Sequence, residues 1–179
     1  DRHQYREIRS GNLTLDWLMA MEETDLARNL LKEIDSTFKT PEQRENALLL
    51  YVQTGWYQGA LRQINNFSSS KRLELTEKYP DIIYPTGFEK EADEASKKFS
   101  TISKDFIWSI IRQESTFDQY ARSWADAFGL MQILPEKAKA LSTKYEIPYH
   151  EMSDLYLPST NLQMGSALLK EAKEKFKGH

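Results

Sequence analysis

Apolar residues recur at three- and four-residue spacing along most of this chain, whereas the alternation of apolar and polar residues that is typical of strands is hard to find. Leu13, Trp17 and Met21 are spaced like one face of a helix. Leu26 and Leu30 continue the pattern. Glycine, which weakens helices, accounts for only 7 of the 179 residues. The sequence therefore predicts an all-α fold.

Residues 1–78 are predicted to form short antiparallel helices with brief connections. Thr40 followed by Pro41 is typical of a helix start, because threonine can cap the helix and proline fits its first turn. Gly55 is typical of a helix end. Helical hairpins of this kind bury their apolar faces against neighbouring hairpins, and no strict repeat period is present. We interpret residues 1–78 as a helical scaffold domain.

The segment YPDIIYPTGF, from Tyr79 to Phe88, separates this scaffold from the rest of the chain. Two prolines and a glycine interrupt the helical pattern here, and Pro80 and Pro85 favour extended geometry at the residues before them. The helical pattern then resumes. We therefore place a domain boundary here and predict a second domain over residues 79–179.

Composition and charge exclude several classes of function. The chain has 24 Lys+Arg and 27 Asp+Glu without a basic stripe, which disfavours nucleic acid as a partner. No apolar run approaches the length needed to span a bilayer, so no transmembrane segment is predicted in this chain. The absence of cysteine excludes disulfides, thiol catalysis and thiolate metal sites.

A metal or cofactor site is not predicted either. His3, His150 and His179 are far apart in sequence, which gives a histidine metal cluster little support. A glycine-rich phosphate loop and a Gly-x-Ser-x-Gly motif are both absent. We therefore expect this chain to use no metal and no cofactor.

Glu114 ends an apolar helix. Ser103 is predicted to cap that helix, and Ile107 and Ile111 should point inward. A carboxyl group at the end of such a face can be held in an apolar niche that favours its protonated form near neutral pH, as a general acid requires. The alternative is a solvated glutamate where the helix emerges into water, which is ordinary for this residue type.

The residues that follow carry a specific combination of motifs. The run RQESTFDQYARSWADAFGLMQILPEKA contains a Glu-Ser pair, an Ala-x-Ser, a Gly-Leu-Met-Gln and a following proline, and it resembles the soluble lytic transglycosylase family. Upstream, YPDIIYP resembles the segment that opens the catalytic domain in that family, and downstream NLQMGSALLKEAKEKFKGH resembles its next helix. The resemblance covers residues 79–179.

This resemblance implies a lysozyme-like α domain, here in part, in a periplasmic bacterial protein. Residues 1–78 resemble, in style, the superhelical linker of the large family members, so the expected fold is a helical-hairpin superhelical scaffold followed by that domain. The family cleaves the β-1,4 bond between N-acetylmuramic acid and N-acetylglucosamine in peptidoglycan glycan strands. The reaction is non-hydrolytic and leaves a 1,6-anhydromuramoyl end, with one glutamate acting as acid and then as base.

Matched residue by residue, the resemblance assigns Glu114 as the catalytic acid and base. Ser123 is matched to a hydroxyl that forms hydrogen bonds near this acid and the acetamido group of the sugar. Met131 and Gln132 are matched to cleft residues that bind substrate. Asn161 is matched to a family position that we place with the substrate-binding residues, although its role there is mostly structural.

Two departures from the family pattern bear on these expectations. Asp126 stands where the family usually has glycine, and if the position needs a positive φ, aspartate adopts it less readily than glycine does. The family also continues beyond the end of this sequence with a helix and a Tyr-Asn-Ala-Gly segment that lines the other wall of the cleft. We expect a missing segment of a longer polypeptide to complete the cleft; the alternatives are a second chain, or a shortened relative that binds glycan without cleaving it.

Two other functions stay open at this point. A lysozyme-like hydrolase needs a second carboxylate at about 5–9 Å from the first, and Asp118 and Asp126 follow Glu114 in sequence. We expect Asp118 to face solvent or to cap a turn. The alternative from another class is a non-catalytic scaffold that holds glycan and docks partner proteins. Trp108 and Trp124 are interpreted as core or cleft-wall aromatic residues rather than a dedicated sugar platform, with an exposed position left open for Trp124.

Overall fold

The structure, a computed structural model, describes residues 9–176, so His3 and His179 lie outside it. All regular elements in the described part are helices. Two isolated bridges, from Arg122 to Phe128 and from Phe128 to Ile133, do not extend into strands. The prediction of an all-α fold is therefore confirmed.

The chain divides into two compact units, residues 1–85 and residues 86–179. The division lies several residues later than the boundary that the sequence predicts, because the segment between the two prolines packs into the first unit. Ile82 is fully buried in the core of that unit, and Tyr79 and Ile83 pack against the same core. The proline-rich segment therefore closes the first unit instead of opening the second.

The first unit is built from short helices that pair in sequence order. These helices are α1 (Leu13–Ala20), α2 (Thr24–Ile34), α3 (Pro41–Gln53), α4 (Tyr57–Ile64) and α5 (Ser69–Lys78). Helix α1 packs against α2, and α3 packs against α4, as in helical hairpins. A short 3₁₀ helix, Pro80–Ile82, contacts α3, α4 and α5 and covers their shared core.

A polar cluster joins three segments of the first unit. The Tyr51 hydroxyl donates a hydrogen bond to Oδ1 of Asp35, and Arg62 Nη2 lies 2.7 Å from Oδ2 of the same carboxylate. Tyr51 also packs edge-on against Trp56, and the Arg62 guanidinium lies over the Trp56 ring at 5.2 Å. Burial, followed by the hydrogen bond to Asp35, raises the pKa of Tyr51 well above its ordinary value.

The first unit is expected to lose stability at alkaline pH because of Tyr51. The raised pKa means that, above about pH 10, the unfolded chain releases the phenolic proton while the folded chain keeps it, so stability falls as pH rises. The slope from one such group is about 1.4 kcal/mol per pH unit. Urea unfolding between about pH 9 and pH 11 should show this slope reduced in Tyr51→Phe. The matched control is Tyr84→Phe, an exposed tyrosine in the same unit; equal slopes in the two variants contradict the assignment.

The second unit is built around α9 (Pro158–Lys175), which with 18 residues is its longest helix. The helices are α6 (Glu89–Lys98), α7 (Lys104–Glu114), α8 (Pro135–Tyr145) and α9 (Pro158–Lys175), with a 3₁₀ helix at Met152–Tyr156. Helix α9 packs against α6, α8 and the 3₁₀ helix, and α6 also packs against α7. Residues 115–134, between α7 and α8, form tight turns with no regular helix. This turn-rich segment carries most of the residues that the sequence places in the site.

Candidate active site

Helix α7 brings Glu114 to its last position. Ser103 caps the start by accepting a hydrogen bond from the Phe106 N–H at 3.3 Å, and Ile107 and Ile111 are fully buried. The Glu114 side chain is exposed, and among residues 9–176 its carboxylate has no hydrogen bond or ion pair. The expected apolar niche is therefore wrong for the described chain, because none of residues 9–176 covers the carboxylate.

Two tight turns follow Glu114 along the chain. The Asp118 N–H donates to the Ser115 carbonyl at 3.1 Å, and the Ala121 N–H donates to the Asp118 carbonyl at 3.2 Å. The Asp118 side chain accepts a hydrogen bond from the Tyr120 N–H at 2.9 Å. Asp118 thus caps a turn, as the sequence predicts. Phe117, held at φ 63° with its side chain buried, anchors this segment.

Ser123 and Asp126 bracket the next turn. The Ser123 N–H donates to the Ala127 carbonyl at 2.9 Å, and the Asp126 N–H donates back to the Ser123 carbonyl at 3.1 Å. The Ala127 N–H also donates to Ser123 Oγ at 3.1 Å. Asp126 has φ 56°, so the position does require the left-handed conformation that the family glycine suggested. Asp126 also accepts two hydrogen bonds from Arg122, at 2.9 and 2.7 Å, which balance its charge.

Gln132 ends the Gly-Leu-Met-Gln stretch and is half-buried. Its Nε2 donates to the Gly129 carbonyl at 2.8 Å and to the Ala121 carbonyl at 3.3 Å, which ties the two sides of the loop together. Within the described part of the chain, Oε1 of Gln132 accepts no hydrogen bond. The amide is therefore held in place with an acceptor still available for a ligand.

Asn161 is buried behind the loop. Its Oδ1 accepts a hydrogen bond from the Met131 N–H at 2.7 Å, and its Nδ2 donates to the carbonyls of Phe128 and Leu155 at 2.9 and 2.7 Å. The residue has no exposed surface. The structure therefore corrects its assignment to the substrate-binding residues: Asn161 positions the Gly-Leu-Met-Gln loop and offers no polar atom to a substrate.

Met131 is also buried, with 6% of its surface exposed. Its side chain lies against Gly165 of α9, where an added Cβ would meet the Cβ, Sδ and Cε atoms of Met131. The assignment of Met131 to a substrate cleft stays a prediction. The Met131 side chain fills the space between the Gly-Leu-Met-Gln loop and α9, and this space exists because glycine at position 165 has no side chain.

Gly165→Ala is expected to lower the free energy of unfolding by about 1–3 kcal/mol, the usual cost of overpacking a core. The added methyl group would overlap the Cβ of Met131, which cannot move without its backbone. Urea unfolding of Gly165→Ala, Met131→Ala and the double variant measures this effect. The double variant should lose less stability than the two single variants together, because Met131→Ala removes Sδ and Cε, the two atoms nearest to the added methyl group, and leaves only Cβ, at 2.9 Å. Strictly additive losses contradict a contact between the two positions.

Trp124 is fully exposed, at 106% of the reference surface, which excludes the core position and agrees with the exposed position that the sequence leaves open. Its position between Ser123 and Asp126, at the tip of a turn, is the signal that could have shown this. Tyr120, exposed to 69%, lies in the same segment.

Metal and membrane features were searched over residues 9–176. No group of three or more histidine, aspartate or glutamate side chains there is arranged to hold a metal ion. None of the helices in this range is both long enough and apolar enough to cross a membrane.

A glutamate at the end of a helix, followed by a turn-rich loop that offers a hydroxyl and an amide, is the pattern that the sequence resemblance associates with a lysozyme-like α domain. Comparison with known proteins gives the family. Residues 91–179 match the family described as Transglycosylase SLT domain, and this part of the chain belongs to it.

The similar proteins are named as lytic murein transglycosylases. A Haemophilus influenzae protein assigned to the soluble lytic murein transglycosylases is 36% identical over 98 residues, which are 55% of this chain and 16% of that protein. The membrane-bound lytic murein transglycosylase E of Buchnera aphidicola is 33% identical over 117 residues, which are 63% of this chain and 48% of that protein. The chain thus spans less than half the length of either relative.

Solved structures show the same fold. An inactive mutant of lytic transglycosylase Slt from Pseudomonas aeruginosa has a TM-score of 0.69 and 24% identity, covering 99% of this chain and 29% of its own. The 70-kDa soluble lytic transglycosylase in complex with bulgecin A has a TM-score of 0.67 and 20% identity, covering 90% of this chain and 25% of its own.

Proposed function

We propose that this chain is part of a peptidoglycan lytic transglycosylase that acts on glycan strands in the bacterial periplasm. The observation that carries the proposal is Glu114, an exposed carboxylate without a protein partner in the described chain, at the end of α7 and followed in sequence by the loop of Ser123 and Gln132. The relatives named as lytic murein transglycosylases support it. So does the inactive solved relative, in which a glutamate is replaced by glutamine.

In this proposal, Glu114 acts twice. It first donates its proton to the glycosidic oxygen while the bond from that oxygen to C1 of N-acetylmuramic acid breaks, and the acetamido oxygen of the same sugar stabilises C1. The carboxylate then takes the proton of the C6 hydroxyl, whose oxygen forms the new bond to C1. Glu114 recovers its proton, no water is consumed, and the strand ends in a 1,6-anhydro ring.

Ser123 and Gln132 are suited to hold the reacting sugar. Ser123 Oγ accepts the Ala127 N–H, so its hydroxyl hydrogen points elsewhere and can be donated to the acetamido carbonyl of the sugar. Gln132 offers its Oε1 to a sugar hydroxyl or amide N–H while its Nε2 keeps the loop closed. Both groups are fixed by the protein before substrate arrives, which lowers the entropic cost of orienting it.

The surroundings of the other carboxylates favour the lyase over a hydrolase. Asp118 is occupied in capping a turn, and Asp126 is occupied by Arg122. An inverting or retaining hydrolase needs a second carboxylate as base or nucleophile, and Oδ1 of each of these two aspartates already holds a hydrogen bond within its own turn. The exposure of Glu114 requires that the bound strand itself displaces water from the carboxyl group, which strengthens its interactions with the reacting atoms.

Analysis of the products from purified peptidoglycan tests the proposal. Mass spectrometry should show muropeptides lighter by one water than hydrolysis products, with no reducing end to label. Reducing muramic ends would instead establish hydrolysis. Binding of the chain to peptidoglycan without any released product would support the non-catalytic glycan-holding scaffold, the function that the uncovered Glu114 side chain favours as second candidate.

A further inference from the structure

We infer that Trp124, together with Tyr120, forms a stacking platform for a sugar ring of the glycan strand at a distance from the bond that is cut. This inference rests on the proposed function and extends it to a second point of contact with the same substrate. Its starting observation is that Trp124 is fully exposed. An exposed tryptophan on a fixed turn is unusual enough to indicate a ligand, because burial of this ring contributes strongly to binding.

The turn holds Trp124 rigidly. Hydrogen bonds on both sides of it, from the Asp126 N–H to the Ser123 carbonyl and from the Ser123 N–H to the Ala127 carbonyl, close the backbone. Ser123 Oγ and the Arg122–Asp126 ion pair brace the same turn. The ring is thus presented on an ordered backbone, so binding through it need not order a loop first.

Tyr120 supplies a second exposed aromatic side chain in the same segment. It is four residues from Trp124, so the chain limits the separation of their Cα atoms to about 14 Å. Its ring contacts that of Tyr156 at a centroid distance of 5.9 Å, and Tyr156 in turn contacts the buried Phe128 at 5.5 Å. The exposed Tyr120 ring is therefore supported by Tyr156 and, through it, by Phe128 in the core of the second unit.

The platform lies within reach of a strand bound at Glu114. The tight turns from Ser115 to Asp118 and from Asp118 to Ala121 shorten the path, which limits the Cα separation of Ser115 and Trp124 to about 25 Å. A polymeric glycan extends over such a distance, whereas a small molecule does not.

Sugar chemistry fits this surface better than a lipid does. The C–H faces of a pyranose ring pack on the electron-rich face of an indole, and the Arg122–Asp126 pair beside it offers donors and acceptors to hydroxyl and acetamido groups. Peripheral membrane binding needs an apolar helix face with surplus basic residues. Arg122 is instead already paired with Asp126.

Binding to purified, insoluble peptidoglycan tests the inference. The chain carrying Glu114→Gln is used as the parent so that the strand is not cut. Adding Trp124→Ala should raise the apparent Kd about tenfold, whereas Trp124→Phe, which keeps an aromatic face, should stay within about threefold of the parent. The matched control is Trp17→Ala, because Trp17 is another exposed tryptophan and lies on α1, outside the second unit.

Each outcome decides the inference. Equal binding by Trp124→Ala and the parent overturns it, as does an equal loss in Trp17→Ala. A loss of binding to phosphatidylglycerol vesicles, with peptidoglycan binding unchanged, overturns it in favour of a membrane surface. The proposed function is judged separately, from the products of the chain with Glu114 intact. Anhydro products together with unchanged binding by Trp124→Ala would reject the platform alone. Loss of binding in Trp124→Ala without any anhydro product from the intact chain would reject the enzyme alone.

Discussion

Glu114→Gln is expected to reduce product release from purified peptidoglycan by about 10³-fold or more, the range in which general acid–base groups contribute. The amide keeps the size of the side chain and can still form hydrogen bonds, but it cannot give up and recover a proton. Both halves of the proposed reaction need that proton, so neither the bond cleavage nor the ring closure should proceed. Turbidity of a peptidoglycan suspension gives the rate, and mass spectrometry gives the products.

Stability should not change in the same variant. Glu114 is exposed and, within residues 9–176, forms no hydrogen bond or ion pair, so its replacement removes no native contact. We expect the free energy of unfolding to stay within about 0.5 kcal/mol of the unmutated chain. The matched control is Glu94→Gln, another exposed glutamate in the second unit, on α6. It should leave both stability and activity unchanged, and activity retained in Glu114→Gln would reject the assignment of the catalytic acid.

The elements of this fold were predictable because their signals are local. The Thr40-Pro41 pair does start α3, with Gln43 completing a capping box, and Ser103 does cap α7. Each of these depends on residues within one turn of helix. The boundary between the units was not predictable to the same precision, since it depends on whether Ile82 finds a core, and that core is built from distant helices.

The candidate site likewise combines features that the local sequence predicts with features that depend on distant packing. The left-handed position of Asp126 and the capping role of Asp118 follow from local turn chemistry, and the structure has both. The surroundings of Glu114 could not be predicted in this way. Burial at the end of a helix depends on which segments pack over it, and helical periodicity carries no information about that.

Asn161→Ala is expected to be the most destabilising of the substitutions considered for the second unit. It leaves the Met131 N–H and the Leu155 carbonyl without their partner in a buried site. The Phe128 carbonyl keeps the hydrogen bond from the Ile133 N–H. An unsatisfied buried group costs about 1–3 kcal/mol, so a loss of about 2–5 kcal/mol is expected from the two together. Asn161→Asp should not rescue it at neutral pH, because a carboxylate oxygen would then face two carbonyl oxygens.

The effect is large because the Asn161 amide, on helix α9, forms hydrogen bonds to two other segments: the loop of Phe128 and Met131, and the 3₁₀ helix that contains Leu155. Gly129 carries no side chain where a Cβ would meet Asn161 and the Leu155 carbonyl, so the loop is shaped to let this amide in. Gln163→Ala is the control, since Gln163 lies on the same helix and its hydrogen bonds are to Lys98 and Ser159 near the surface. Urea unfolding should separate the two variants by at least about 2 kcal/mol. In Asn161→Ala, the amides of Phe128 and Met131 should also exchange with solvent faster. Equal stability of the two variants would show that the Gly-Leu-Met-Gln loop, and with it Gln132, is held in place by packing alone.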